Sequence, residues 1–273
     1  MKIWLNLSVI ARTIEETRVR TTRAEDLLKS LGIDQAGDID LEAIAWRVGA
    51  KVRYRHLKGC EARIVGLDDK AIITVNCTSG PERQRFSVGH ELGHWAHHRG
   101  QCAVCRASDI GNFGNIKSMK ERAADSYAAD LLMPWYLFKP SVRNYKRLDL
   151  KTLRAVATEF STSLTATLIR MIESDMFPSS MVVAHRPAGR AWFRASPSVS
   201  GYWFPQAELD QDSFAFTLMH GQDGRTEGFP RKTGADAWFD KPGADQHEIT
   251  EQSFKLPNGD VITILNLADR MVS

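Results

Sequence analysis

Residues 86–98 read FSVGHELGHWAHH, and the meaning of HELGH at 90–94 decides how the chain is understood. Four histidines and a glutamate fall within nine positions of a stretch that otherwise reads as buried helix. On an α-helix, positions four apart share a face, with Cβ atoms about 5–6 Å apart. His90 and His94 can therefore aim their imidazoles at one tetrahedral ion, with Glu91 just round the helix beside it. His97 and His98 lie seven or eight residues from His90, about 10–12 Å along the axis, and cannot complete the same site. A third ligand has to come from elsewhere, or the histidines only decorate a helix surface.

ERAADSYAADLLMP at 121–134 decides between the two. At helical spacing Glu121, Ala124, Asp125, Ala128, Leu131 and Leu132 fall within an arc of about 120°, the stripe that faces a core. Two carboxylates stand on that stripe, and buried carboxylates are normally paired or bound to metal. Glu121 is read as the third protein ligand. Asp125, one turn on, is placed to accept the second N–H of a ligating histidine and fix its tautomer. The competing reading is that both carboxylates pair with Arg or Lys.

Together, FSVGHELGHWAHH and ERAADSYAADLLMP resemble the ImmA/IrrE family of zinc metallopeptidases. The resemblance covers roughly residues 22–175, with DLEAIAWRVGAKV, AIITVN and RQRFSVGHELGH in the family's order. It departs at Val88–Gly89, where Ile or Leu followed by Ala is common, and at Asp125, where Asn is frequent. The resemblance implies a zincin-like α+β fold, one catalytic Zn2+ on His90, His94 and Glu121, and Glu91 as catalytic acid/base. His98 matches a histidine that many relatives carry, without an assigned role. The resemblance further implies a cytoplasmic metalloendopeptidase that cuts a protein partner, a helix-turn-helix repressor or antitoxin, in stress-linked control of transcription.

Three protein ligands leave one zinc position for water, the arrangement of a catalytic site. The substrate is expected to lie extended along an edge of a small sheet, paired with a strand such as 71–76. Tyr127 is a candidate for oxyanion stabilisation, or else faces the core. Cys102 and Cys105, in CAVC, admit three readings: a second zinc site, a redox- or metal-responsive switch, or reduced thiols. The last is favoured, because a single C-x-x-C lacks the second pair of a zinc ribbon.

The rest of the chain frames these motifs. Its 273 residues, 43% hydrophobic and 25% charged with a net charge of +3, suit an ordinary globular protein with one large or two modest domains. That balance makes no argument for nucleic acid. No apolar run has the length of a bilayer span. MKIWLNLSVIAR at 1–12 alternates like a strand and is read as part of the fold rather than a signal peptide.

Helices are predicted over 12–31, 41–48 with Asp40 as N-cap, 118–132, 150–160 and 163–173, and strands over 51–57, 62–66 and 71–76. QCAVCRASDIGNFGNIKS reads as a loop. Near 175–180 the helical period gives way to short strands: MVVAHR, AWFRAS, SFAFTLMHG, DAWFD and DVITILNL. The expected division is a peptidase domain at 1–175 and a β-rich region at 176–273 that serves as sensor, partner-docking region or further core. The aromatic pairs Trp192–Phe193, Trp203–Phe204 and Trp238–Phe239 favour core. His185, His220 and His247 have no ligand spacing. LRAVATEFSTSLTATLIRMIE at 153–173 has a helix-turn-helix outline, so a DNA-binding or non-cleaving partner-binding regulator is the alternative function. Its second helix offers one arginine to read DNA, so direct nucleic-acid contact is not expected.

Overall fold

The computed structural model describes residues 23–97, 103–105, 119–221 and 224–272. The alternating stretch at 1–12, His98 and Cys102 lie outside them. The order is α1 (Arg23–Ser30), α2 (Leu41–Arg47), β1 (Ala50–Arg55), β2 (Ala62–Leu67), β3 (Lys70–Asn76), α3 (Pro81–His97), β4 (Ala103–Cys105) and α4 (Met119–Leu132). Then come α5 (Trp135–Arg143), α6 (Leu150–Phe160), α7 (Leu164–Glu173), β5 (Ser180–Arg186), β6 (Gly189–Ala195), α8 (Phe214–His220), β7 (Arg231–Gly234), β8 (Glu248–Lys255) and β9 (Val261–Asn266). The class is α+β, as the sequence implies. No described helix is long and apolar enough to cross a membrane.

The first sheet has the order β1-β3-β2-β4, with β1 parallel to β3 and the other pairs antiparallel. Its inner face, Ala50, Ala62, Ile64, Ala71, Ile73 and Val75, is buried beneath α3. Asp40 starts α2 as expected, its carboxylate accepting the N–H groups of Glu42 and Ala43 at 2.9 and 3.0 Å. Gly49, at φ +86°, then turns the chain into β1, where a Cβ would meet the Asp69 carbonyl oxygen at 2.2 Å. One expectation fails. Strand 71–76 lies between β1 and β2 and has no edge to offer a substrate. The loop reading of 101–118 also needs amendment, because Ala103–Cys105 pairs with β2.

The second sheet, β6-β5-β9-β8-β7, is antiparallel throughout. Successive side chains of a strand point to opposite faces, and β5 and β9 are apolar on both. Val182, Ala184, Ile262 and Ile264 join the core that holds Leu168, Met171 and Ile172 of α7. Met181, Val183, Val261 and Leu265 join a second core with Leu218 of α8, Trp203, Trp238 and Phe239. The sheet is thus sandwiched, and the first core runs across residue 175. Of the aromatic pairs, Trp203, Trp238 and Phe239 are buried, while Phe204 is exposed.

Two expected strands are something else. SFAFTLMHG forms α8, because the Ser213 hydroxyl caps it by accepting the Phe216 N–H at 3.2 Å and Ala215 and Leu218 turn inward together. DAWFD holds a short 3-10 turn at Ala235–Ala237. In their place β8 carries the sheet, with Glu251 wholly buried. That carboxylate accepts from Phe214 N–H at 2.7 Å, Trp238 Nε1–H at 2.7 Å and Arg231 Nε–H at 2.5 Å.

His185, on β5 with its ring 5.8 Å from that of Trp238, is 1% exposed. Burial, reinforced by the Arg190 charge, pushes it down to about 4. The unfolded chain takes up this proton as pH falls through ~6.5, while the folded chain refuses it until about 4. Stability from neutral His185 is therefore complete above ~6.5 and lost as pH falls towards 4. At pH 5, urea unfolding is expected to show about 2 kcal/mol less loss, relative to pH 7.5, in His185→Leu than in the parent chain. Equal pH dependence would show that the histidine is protonated in the fold.

Candidate metal centre

Helix α3 is pinned to the sheet through Trp95. Its indole N–H donates to the Val48 carbonyl at 2.9 Å, and its ring covers Gly66 so closely that a Cβ there would lie 2.5 Å from it. The opposite side of α3 meets α4 almost backbone to backbone. A Cβ on Gly93 would stand 2.8 Å from Ala124 Cα and 2.9 Å from its carbonyl oxygen, and one on Gly89 would stand 3.2 Å from Ala128 Cβ. Neither glycine was marked by sequence spacing. Their role depends on Ala124 and Ala128, which lie some thirty-five residues further on.

This contact brings the histidines of α3 against the acids of α4. His90 Nε2 and His94 Nε2 are 3.1 Å apart. Glu121 places Oε2 3.2 Å from His90 Nε2 and Oε1 3.5 Å from His94 Nε2. His90 Nδ1 donates to Asp125 Oδ1 at 2.9 Å. That bond puts the His90 proton on Nδ1 and leaves the Nε2 lone pair directed at the cluster. His90, Glu91 and His94 are buried, whereas the Glu121 and Asp125 side chains keep 23% and 18% exposure.

The donor set fits a small divalent cation. Tetrahedral bonds of ~2.0–2.1 Å to N and O imply donor–donor separations of about 3.3 Å. The separations here are close to that value: 3.1 Å between the two nitrogens, 3.2 Å from His90 to one Glu121 oxygen and 3.5 Å from His94 to the other. Among the described residues His90, His94 and Glu121 form the one group of His, Cys, Asp and Glu with metal-ligand proximity. Two nitrogens and a carboxylate suit zinc better than calcium or magnesium.

The other sequence candidates stand apart. Tyr127 is 8% exposed, sits in the core with its ring centroid 5.8 Å from that of His97, and is raised above the usual phenol range by burial. His97 bonds the Gly93 carbonyl oxygen through Nδ1 at 2.8 Å. Cys105 ends β4, and Cys60 and Cys77 are free thiols. Glu121 and Asp125 each contact a histidine of α3.

Gly93→Ala isolates the helix contact. Alanine gains about 1 kcal/mol in helix propensity, but its methyl group meets the α4 backbone, which has no rotamer to yield. Overpacking of this kind costs about 1–3 kcal/mol. The expected result is a lower urea midpoint and zinc affinity weakened at least tenfold, with Gly89→Ala milder in both. Unchanged zinc affinity would mean that the helix spacing does not set the site.

A two-histidine, one-glutamate cluster on paired helices beside a small mixed sheet defines a zincin-like metallopeptidase domain. Residues 45–171 match the family model of Peptidase M78, the IrrE N-terminal-like domain, which supports the resemblance to the ImmA/IrrE family. No curated protein sequence matches the chain. Among solved structures the chain is similar in fold to a Mycobacterium tuberculosis transcriptional regulator, with a TM-score of 0.56 at 13% identity, covering 89% of this chain and 74% of that one.

Proposed function

We propose that the chain is a zinc-dependent endopeptidase of HExxH-plus-Glu type. The observation that carries the reading is the convergence of His90 Nε2, His94 Nε2 and the Glu121 carboxylate, with Asp125 behind His90. Lone-pair donors so placed repel one another unless a cation lies among them. Zinc, when bound there, supplies Lewis acidity and lowers the pKa of a water towards ~7. The rest falls to the chain's own groups. Asp125 holds His90 in one tautomer and orientation. Glu91, one residue round the helix, takes a proton from the attacking water and passes it to the leaving amine, so no covalent acyl intermediate forms.

Because β3 is internal, an extended substrate segment adds instead along the outer edge of β4, which follows the His90–His94 helix in the chain. The family resemblance supports a cytoplasmic helix-turn-helix repressor or antitoxin as the protein cut, and the β-rich region after residue 175 as sensor or docking region. The DNA-binding alternative draws little support. Arg170, the one arginine of the would-be recognition helix, is 5% exposed and bonded to Asp130 and the Met133 carbonyl. Incubation with the regulator encoded beside this chain, read by intact mass, tests the reading. Cleavage by the zinc-loaded parent and none by Glu91→Gln is expected. A regulator left whole by the zinc-loaded parent, or cut equally by Glu91→Gln, would count against it.

A further inference from the structure

The outer face of the first sheet, opposite α3, has nothing packed on it among the described residues. Strand register fixes its composition. One cross-strand row reads Lys51–Ile72–Val65 and the next Arg53–Thr74–Arg63, with Lys70 paired to Leu67 at one end. Trp46, from the end of α2, closes a groove of about 610 Å³ whose floor includes Val65, Leu67 and Ile72. Leu67 is 77% exposed, Trp46 73% and Val65 52%. Isolated exposed apolar residues are ordinary, but a contiguous set on one face marks an interaction surface.

Basic side chains predominate around the groove, although the exposed Asp68 and Asp69 of the β2–β3 turn stand beside its Leu67 and Lys70 end. Lys51, Arg53, Arg55, Arg63 and Lys70 point to this face, and no acid alternates with them along the strands. Arg55 donates to its neighbouring carbonyl, of Tyr54, at 3.2 Å. Lys51, Arg53 and Arg63 make no ion pair among the described residues. Arg53 and Arg63 stand two strand spacings apart, about 10 Å, which matches the ~10 Å diameter of one helix. An apolar groove edged by Lys51 and Lys70, with the Arg53–Arg63 pair in the row beyond it, complements a helix with an apolar stripe and acidic flanks.

We infer that this face docks an acidic amphipathic helix of a partner protein. A second copy of the chain, face to face, would set the arginine row against its own like. The segment 1–22 is itself basic, with Lys2, Arg12, Arg18 and Arg20 against Glu15 and Glu16. Single-stranded nucleic acid is held by successive aromatic platforms for its bases, and this groove has Trp46 alone above an aliphatic floor. The surface is separate from the His90–His94–Glu121 cluster, so docking stands or falls independently of peptidase activity.

The test uses the full chain and two fluorescein-labelled 18-residue helical peptides with the same leucine stripe, one flanked by Glu and the other by Lys, read by anisotropy at 0.15 M salt. The Glu-flanked peptide is expected to bind at least tenfold more tightly than its Lys-flanked counterpart. Arg53→Glu/Arg63→Glu and Leu67→Ser are each expected to weaken it at least tenfold, with unchanged far-UV circular dichroism. Equal binding of the two peptides, no binding of either, or binding that survives both variants would overturn the inference. So would a single-stranded RNA 20-mer or phosphatidylserine vesicles binding more tightly than the acidic peptide and losing that binding in the same variants.

Discussion

Glu121→Ala is expected to strip zinc from the chain while leaving it folded. The side chain is partly exposed and supplies one of the three converging donors, so its removal opens no core cavity but leaves two histidines to hold the ion. Zinc per chain, measured by mass spectrometry after dialysis, should fall from one to near zero. Glu91→Gln and the Cys102→Ser/Cys105→Ser double variant should each retain one. A ligand present at a thousandfold over its Kd stabilises the fold by about 4 kcal/mol, so EDTA should lower the melting temperature of the parent chain and leave that of Glu121→Ala unmoved. Turnover should separate the two glutamates differently: Glu91→Gln keeps the ion and loses activity by about 10²–10⁴-fold, the usual weight of a general base. Zinc retained by Glu121→Ala would remove that residue from the site.

The largest expected effect on stability comes from Arg170→Met. Arg170 is buried between α7 and the end of α4, donating to Asp130 Oδ1 at 2.7 Å and to the Met133 carbonyl at 2.7 and 3.0 Å, with its guanidinium 3.4 Å from the Trp135 ring centroid. Removing it strands the Asp130 carboxylate, itself 6% exposed, and the Met133 carbonyl in the interior. Breaking a buried pair from one side costs about 3–5 kcal/mol, a large part of a typical domain's 5–15. Urea unfolding should show the loss, and Asp130→Leu added to Arg170→Met should recover much of it. A single variant as stable as the parent would mean that water reaches Asp130.

Much of this was legible in the sequence, and the reasons are local. The Asp40 cap, the stop at Pro134 and the period of ERAADSYAADLL each act within a few residues. So does the stripe that puts Glu121 and Asp125 on one face. What escaped depends on distant partners. Helix α5 hides between Pro134 and an internal Pro140, and its Trp135 N–H is taken by the buried carboxylate of Glu25, 2.5 Å away and 110 residues earlier. Strand β8 was passed over because EITEQSFK is polar, yet Glu251 is satisfied there by donors from three other segments. Aromatic content suggested strands at SFAFTLMHG, where the Ser213 cap and the inward pair Ala215 and Leu218 prevail. That β3 lies inside its sheet follows from β1 pairing in parallel with it, which no local pattern announces.

The close passage of Gly89 and Gly93 over Ala124 and Ala128 also bears on how the candidate site moves. Helices held apart by long side chains breathe as rotamers exchange in picoseconds to nanoseconds. Here the spacer is main chain and methyl groups, which have no rotamers to exchange. The gap that His90, His94 and Glu121 must span is then set by van der Waals contact between backbones and methyl groups. Fluctuation is left chiefly to sliding of one helix along the other, a motion that Arg170 resists at the far end of α4.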